Sequence, residues 1–219
     1  MPVTRPALLL LDVNETLSDM APMRDRFADV GLDADLAPLW FASVLREGFA
    51  VAAAGGLVPF AEVAAEQLRV LAGPDAPADE VLAAFTALDV HPDVRRGLAD
   101  LAATGVRVAT LSNGAASVAE GLLERAGVAE HVERVLSVED AGAWKPAAAS
   151  YRWALEQLGV EPADAMLVAV HPWDTAGAQS VGLASAWVDR SGEGHFPAYL
   201  PDPTLRVASL VDLAARLGG

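Results

Sequence analysis

Four short apolar segments, each ended by polar side chains, constrain the fold of this chain more than any other feature. They occupy residues 7–12, 106–111, 165–170 and 184–188. Because apolar and polar residues do not alternate within them, they are typical of strands that are buried on both faces, as in a parallel sheet covered by helices. These segments therefore predict the central strands of an α/β protein.

Helical patterns separate the apolar segments, except after the first one. Four of them occupy residues 92–104, 116–126, 146–158 and 175–181. Together with the strands they predict a doubly wound, Rossmann-like core with a parallel sheet. Between the first strand and Pro92, apolar residues recur at helical spacing without a strand-like run. We therefore expect a core domain of residues 1–17 and 91–219, with a helical cap domain of residues 18–90 inserted after the first strand.

Charge and composition exclude several classes of function. The 219 residues include 30 acidic and 15 basic side chains, a formal charge of −15, so the chain lacks the basic excess with which proteins bind nucleic acids. Without cysteine it has neither a disulfide framework nor a thiol nucleophile. No apolar run reaches the ~18 residues of a membrane span, and the apolar N-terminal stretch is too short for a signal peptide. We expect a cytoplasmic protein that binds neither nucleic acid nor membranes.

Residues of scarce type mark a candidate site. Lys145 is the only lysine, and Asn14 and Asn113 are the only asparagines. Asp12, Asn113 and Asp174 each lie at or just after the end of an apolar segment. Ligands of open α/β sheets bind beyond the carboxyl ends of the strands. We therefore expect these polar residues together at one edge of the sheet, beneath the inserted cap.

Asp12 is the candidate nucleophile. A carboxylate can displace a leaving group from carbon or phosphorus, and it thereby divides one hard step into two easier ones. It must be ionised and oriented, so we expect the Lys145 ammonium to lower the pKa of Asp12 and the Thr16 hydroxyl to hold it in place. The alternatives are that Asp12 caps a helix and that Lys145 is a solvated surface residue.

Four motifs in sequence order resemble those of the haloacid dehalogenase superfamily. They are Asp12-Val13-Asn14-Glu15-Thr16-Leu17, Leu111-Ser112-Asn113-Gly114, Lys145-Pro146 with Tyr151, and the run from Val170 to Ala178 that contains Trp173-Asp174. The Asn-Glu pair after Asp12 and the Trp-Asp-x-x-Gly-Ala run are most similar to the type II 2-haloacid dehalogenases. The resemblance spans nearly the whole chain. It implies a hydrolase that cleaves the carbon–halogen bond of a small 2-haloacid through an aspartyl ester on Asp12, without a cofactor.

The identity of residue 14 separates two chemistries of the superfamily. Its phosphatases carry an aspartate two residues after the nucleophile, because an alkoxide leaving group needs a proton from a general acid. Asn14 cannot supply that proton, whereas a halide leaves without one, so the resemblance favours attack on carbon. The alternative is that Asn14 is an ordinary loop residue.

A magnesium-dependent phosphatase and a non-catalytic binding protein are the alternative functions. A phosphatase of this superfamily would use Mg²⁺ to neutralise the substrate phosphate, yet no second acidic residue follows Asp174 before Gly182. We therefore expect no metal ligands. By resemblance, Asp174 orients Lys145 or the hydrolytic water, and a helix N-cap is the alternative role.

The resemblance also implies contacts with an anionic substrate. Ser112 and Asn113 would hold its carboxylate or the departing halide, together with backbone N–H groups of the next helix, although the same pair suits a helix cap. Asn14 would lie beside them. The Tyr151 hydroxyl would support the site, or the ring would pack in the core.

Two departures from the family pattern bear on the substrate. Family dehalogenases place an arginine after a Leu-Trp pair of the cap, whereas Phe41 follows Trp40 here and the nearest arginine in the sequence, Arg46, lies more than a helical turn away. We expect Trp40 and Phe41 to make the pocket more apolar. His171 stands where the family often has asparagine, and it would be either a general base for the hydrolytic water or a plain loop residue. Four apolar cap residues form a candidate homodimer surface: Leu39, Trp40, Phe41 and Phe60.

Overall fold

The computed structural model describes residues 5–218, which contain one sheet of six parallel strands. The strands are β1 (Leu8–Leu11), β2 (Arg107–Ser112), β3 (Arg134–Ser137), β4 (Ala165–Ala169), β5 (Ala184–Val188) and β6 (Leu205–Val207). Their order is β3-β2-β1-β4-β5-β6, so the chain winds outward from β1 in both directions. This is the doubly wound, Rossmann-like topology that the sequence predicts.

Helices of the core cover both faces of this sheet. They are α5 (Val94–Ala103), α6 (Ala116–Ala126), α7 (Val138–Ala141), α8 (Ala148–Leu158), α9 (Pro172–Gln179) and α10 (Leu210–Leu217). Leu9 and Leu11 of β1 pack with α5, α6 and α10, while Leu8 and Leu10 belong to the core that includes α8. Strand β1 is thus buried on both sides, which explains its continuous apolar sequence.

The sequence predicts the four inner strands but neither edge strand. Strands β3 and β6 lie at the two edges of the sheet, are four and three residues long, and each contain an exposed arginine, Arg134 or Arg206. An edge strand is less completely buried, so it lacks the unbroken apolar pattern of a central one. Helix α9 begins at Pro172, earlier than predicted. Asp174 therefore lies inside its first turn instead of capping it.

The insertion after β1 consists of helices packed around aromatic side chains. The helices are α1 (Met23–Asp29), α2 (Leu36–Ala53), α3 (Phe60–Ala72) and α4 (Ala78–Thr86). Ser18 and Val90 form an antiparallel bridge that closes the insertion at its base, and we retain residues 18–90 as the proposed cap. Ring centroids 5.4 to 6.4 Å apart connect its aromatic cluster of Phe27, Trp40, Phe41, Phe60 and Phe85. Because this buried cluster contains three residues of the expected homodimer surface, that surface is wrong, and only Leu39 of the four is exposed.

Trp144 connects the core to the cap. Its ring stacks on Phe60 at 5.8 Å, and its indole N–H donates to the carbonyl of Val58 at 2.9 Å. A β-carbon on Gly48 in α2 would lie 2.2 Å from the same ring, so glycine is required for this close approach. Since Lys145 directly follows Trp144, the contact also fixes where Lys145 enters the core.

Helix α2 is long and apolar enough to cross a membrane by length and composition alone. Its 18 residues have a mean hydropathy of 1.3, yet Arg46 and Glu47 interrupt the apolar sequence. Trp40 and Val44 of this helix are buried in the cap. One face of α2 therefore packs against the other helices of the insertion.

Candidate active site

The carboxyl edge of the sheet brings together polar side chains from distant parts of the chain. Asp12 directly follows β1, Lys145 precedes α8, and Asp174 lies in the first turn of α9. Asp12 and Lys145 are 133 residues apart in the sequence, yet their side chains are in direct contact. The structure places all three residues at the edge of the sheet where the sequence predicts them.

Lys145 is fully buried between two carboxylates. Its Nζ donates to Asp12 Oδ1 at 2.8 Å and to Asp174 Oδ2 at 2.7 Å. Burial alone would lower the pKa of Lys145, but the charges of Asp12 and Asp174 outweigh it and raise that pKa. The ammonium is therefore charged at neutral pH, and the alternative of a solvated surface lysine is wrong.

Asp12 is held at both of its carboxylate oxygens. Oδ1 accepts the Lys145 bond, and Oδ2 accepts from the Thr16 hydroxyl at 2.6 Å. The Thr16 hydroxyl in turn accepts from the backbone N–H of Val170 at 3.1 Å, which connects the loop after β1 to the residue that follows β4. Burial would raise the pKa of Asp12, but the Lys145 ammonium, with a contribution from His171, lowers it far below its usual range. Asp12 is therefore an ionised and fixed carboxylate.

Asp174 positions Lys145. It is fully buried; its Oδ2 accepts from Lys145, and its Oδ1 accepts from the Tyr151 hydroxyl at 2.5 Å. Burial raises the pKa of Asp174, and the nearby Asp12 charge adds to the rise while Lys145 opposes it. A β-carbon on Gly177 would lie 2.6 Å from the Tyr151 oxygen, so glycine is needed for this arrangement. The Tyr151 hydroxyl thus supports the site through Asp174.

Asn113 and Ser112, expected to bind an anion, have different surroundings. The Asn113 Oδ1 accepts from the backbone N–H of Lys145 at 2.9 Å, and its Nδ2 donates to the carbonyl of Lys145 at 3.4 Å. Asn113 therefore holds the backbone of the lysine. Ser112 Oγ accepts from the N–H of Gly114 at 2.9 Å, and Ser112 lines a cavity of about 80 Å³ together with Asn14 and Phe60.

His171 lies between two carboxylates, and the second of these was missed in the sequence. Its Nδ1 is 3.3 Å from Asp12 Oδ2, and its Nε2 is 2.8 Å from Glu15 Oε2. Burial would lower the pKa of His171, but hydrogen bonds and charges from Asp12 and Glu15 raise it to about 9. The ring is therefore protonated at neutral pH, which corrects the expectation of a near-neutral base. Glu15 could be identified as a candidate from the sequence, because it is an acidic residue within the first motif.

Only one of the two aromatic residues that were expected to line the pocket lies at a cavity. Trp40 is fully buried, and its indole N–H donates to the carbonyl of Ala64 at 2.8 Å, so it belongs to the cap interior. Phe41 lines a cavity of about 190 Å³ with Glu15 and Arg24. Arg24, which the sequence does not single out, is therefore the cationic side chain that lines this cavity, and it also pairs with Asp35.

The carboxylates at this edge do not fit a divalent cation. Lys145 Nζ fills the gap between Asp12 and Asp174, and the His171 ring lies against the remaining oxygen of Asp12. Residues 5–218 contain no group of three His, Asp or Glu side chains arranged to hold a metal.

An α/β core with a helical insertion after its first strand and a buried Asp–Lys pair at its carboxyl edge defines a class of hydrolases. The family model described as haloacid dehalogenase-like hydrolase matches residues 9–182. The chain belongs to this family.

Three individual proteins illustrate the range of its similarities. Haloacetate dehalogenase H-2 of Moraxella sp. is 27% identical over 168 residues, which cover 74% of this chain and 75% of the relative. A phosphoserine phosphatase of Thermus thermophilus is 34% identical over 122 residues, which cover 55% and 48% of the two chains. The structure of L-2-haloacid dehalogenase from Xanthobacter autotrophicus with chloropropionic acid covalently bound has a TM-score of 0.87 and 26% identity, and the match covers 99% of both chains. Other relatives described as (S)-2-haloacid dehalogenases align over about half of their own length.

Proposed function

We propose that this protein hydrolyses the carbon–halogen bond of small 2-haloacids through an aspartyl ester on Asp12. The observation that carries the proposal is the buried contact of 2.8 Å between Asp12 and Lys145, which keeps the carboxylate charged and oriented. Asn14 supports it, since a halide leaves without the proton that a general acid would supply at that position. The similarity to haloacetate and L-2-haloacid dehalogenases supports the same chemistry.

The first step joins Asp12 to the substrate. A carboxylate oxygen of Asp12 attacks the halogen-bearing carbon from the back side, and the carbon–halogen bond breaks with its electron pair on the halide. Lys145 and Thr16 hold the attacking carboxylate, while Ser112 and Asn14 face the substrate and its leaving group. The proposed step uses no cofactor.

The second step restores Asp12. Water attacks the carbonyl carbon of the ester, the bond to the alkyl oxygen breaks, and a 2-hydroxyacid leaves. Asp174 keeps Lys145 in place, because both of its oxygens are already engaged by Lys145 and Tyr151. His171 lies against Asp12 and lines a cavity of about 400 Å³, so it is the group that we assign to the hydrolytic water.

The anionic end of the substrate needs a positive group other than Lys145, which is already bound to two carboxylates. Phe41 stands where relatives would have an arginine. We assign this role to Arg24, which lines the cavity beside Phe41, with His171 as the second cation at that side of Asp12. The contacts of Arg24 and His171 with the anionic end of the substrate are expected to limit substrates to small acids.

A panel of substrates separates this proposal from its rivals. Wild type and Asp12→Ala are tested with haloacetates and 2-chloropropionate for halide release, and with small phosphate esters in the presence of Mg²⁺ or EDTA. We expect halide release by wild type alone, unaffected by EDTA. EDTA-sensitive phosphate release would identify the magnesium-dependent phosphatase, and ligand binding without turnover would identify a binding protein.

We also propose a cytoplasmic location. The absence of cysteine from the sequence is compatible with a reducing compartment, and the proposed substrates are small soluble acids. Fractionation of cells that express the full chain tests this, and recovery from the membrane or the medium would contradict it.

A further inference from the structure

Glu15 has a backbone conformation that is unusual for a residue with a side chain. Its φ is 63°, and among residues 5–218 it is the one non-glycine residue with a positive φ. The left-handed region favours glycine because a β-carbon crowds the backbone there. A side chain at this position therefore adds strain that glycine would avoid, and its contacts must compensate for that strain.

The contacts of Glu15 lead directly to the candidate nucleophile. Its Oε2 lies 2.8 Å from His171 Nε2, and the other ring nitrogen of His171 lies 3.3 Å from Asp12 Oδ2. The backbone of Glu15 is fixed as well, because its carbonyl contacts His91 Nε2 at 2.9 Å and its N–H donates to Ser18 Oγ at 3.2 Å. Trp173 stacks on the imidazole at 4.9 Å. The ring is therefore held at both nitrogens and on one face.

We propose that Glu15 is a positioning residue that holds the His171 ring against Asp12, so that His171 acts as the general base when water cleaves the aspartyl ester. This inference rests on the proposed function and extends it to the second step. Glu15 itself does not touch the reacting atoms; it acts through the imidazole.

The charge on Asp12 controls the state of His171 during the reaction. While Asp12 is a carboxylate, the ring is flanked by two negative groups, which raise the pKa of His171 to about 9, against the effect of burial. Ester formation removes the charge of Asp12, so this support is lost, only Glu15 remains, and the pKa of His171 falls. The ring then releases its proton to solvent. The charged or titratable groups that line the cavity beside His171 and Glu15 are Asp19, His91, Asp189 and Arg190.

Neutral His171 then has the geometry of a base for the second step. Its Nδ1 faces the Asp12 carboxyl group and takes a proton from the water whose oxygen bonds to the ester carbonyl carbon. The bond from that carbon to the alkyl oxygen breaks, and the alkyl oxygen takes the proton back from His171. Asp12 is left as a carboxylic acid with one oxygen from water, and its proton passes to His171 Nδ1, 3.3 Å away, which restores both the carboxylate and the protonated ring. Over both steps, the haloacid and one water give the hydroxyacid, the halide and one proton, which is the proton that His171 releases to solvent.

Other groups at the site are less suited to this role. Both oxygens of Asp174 are engaged and the residue is fully buried. Lys145 is kept in its charged form by two carboxylates. His171 retains 13% exposure of its side chain beside a cavity, so water can reach it.

Rapid-quench kinetics on Glu15→Gln test the inference. Glutamine keeps the size of the side chain and a hydrogen-bonding oxygen but removes the charge. We expect halide release in the first turnover to change less than threefold, whereas hydroxyacid formation slows at least tenfold, so that mass spectrometry finds the ester accumulated on the Asp12 peptide. The pH profile of ester cleavage should shift its acidic limb to lower pH, because the base loses the charge that stabilises its protonated form.

Two further variants keep this test decisive. Asp19→Asn removes a carboxylate from the same cavity without a contact to His171, and it should cleave the ester at the wild-type rate. In Glu15→Gly the relief of backbone strain offsets the lost contact with His171, so this variant should still fold, and it should also accumulate the ester. Equal slowing of both steps without ester accumulation, or wild-type ester cleavage by Glu15→Gly, would overturn the role of Glu15. Failure of wild type to release halide would instead overturn the proposed function.

Discussion

Replacing Lys145 with methionine removes the one positive charge between two buried carboxylates. Lys145 Nζ makes charged hydrogen bonds of 2.8 Å to Asp12 and 2.7 Å to Asp174, and the lysine is fully buried. Removing one partner of a buried ion pair costs ~3–5 kcal/mol, because the remaining charge loses its compensation. We expect Lys145→Met to lower the free energy of unfolding by about that amount at pH 7.

The same variant predicts a change in pH dependence. Without the ammonium, burial raises the folded-state pKa of Asp12 and Asp174 above the values of the unfolded chain, so protonation at lower pH relieves the destabilisation. The loss of stability should therefore shrink as the pH falls from 7 to 5. Halide release should fall by more than about a hundredfold at pH 7, because Asp12 is no longer kept ionised and oriented.

Urea unfolding at several pH values provides the assay, with circular dichroism as the probe. Arg96→Met is the matched control, because the Arg96 side chain is 77% exposed in its pair with Asp100 and such a pair contributes less than ~1 kcal/mol. A loss below about 1 kcal/mol for Lys145→Met, with no dependence on pH, would refute the reasoning about the buried triad.

Three other perturbations follow from the contacts at the site. Gly177→Ala brings a β-carbon to 2.6 Å from the Tyr151 oxygen, so it should lower the free energy of unfolding by ~1–3 kcal/mol and reduce turnover. The control Gly121→Ala meets only the flexible end of an arginine and should change neither quantity. Thermal melts and halide assays measure both effects. Arg24→Gln should raise the KM for anionic haloacids several-fold with little change in kcat, and an unchanged KM would remove Arg24 from substrate binding. Because the pKa of His171 is raised to about 9 from an ordinary 6.5, its contribution to the free energy of unfolding is complete below pH 6.5 and is lost as the pH rises to 9. Urea titrations of His171→Asn should show no such decline of stability with pH. A decline that persists in this variant would belong to another group.

The sequence predicts the centre of the sheet better than its edges for a physical reason. Strands β1, β2, β4 and β5 lie inside the sheet, and nearly all of their residues beyond the first of β2 and of β5 are buried and apolar or small, so they stand out in the sequence. Strands β3 and β6 lie at the edges and each carry an exposed arginine. Their pairing depends on long-range contacts that no local pattern records.

The sequence likewise predicts some residues of the candidate site and misses others. Asp12 and Lys145 are predictable because each has a distinctive place, at the end of a buried strand and as the only lysine. Glu15 is visible in the sequence as an acidic residue of the first motif, but its contact with His171 accompanies a left-handed backbone at residue 15, which no local pattern predicts. The expectation that Trp40 lines the pocket is wrong because helical spacing identifies only an apolar helix face. It does not distinguish a face that lines a pocket from one that packs inside the cap.

A single-turnover reaction in ¹⁸O-labelled water, with enzyme in excess over 2-chloropropionate, tests the central claim most directly. If Asp12 forms the ester and water attacks its carbonyl carbon, mass spectrometry should find one labelled oxygen in the Asp12 peptide and none in the hydroxyacid. Label in the hydroxyacid with an unlabelled Asp12 peptide would mean that water attacks the substrate directly, and it would contradict the nucleophilic role of Asp12.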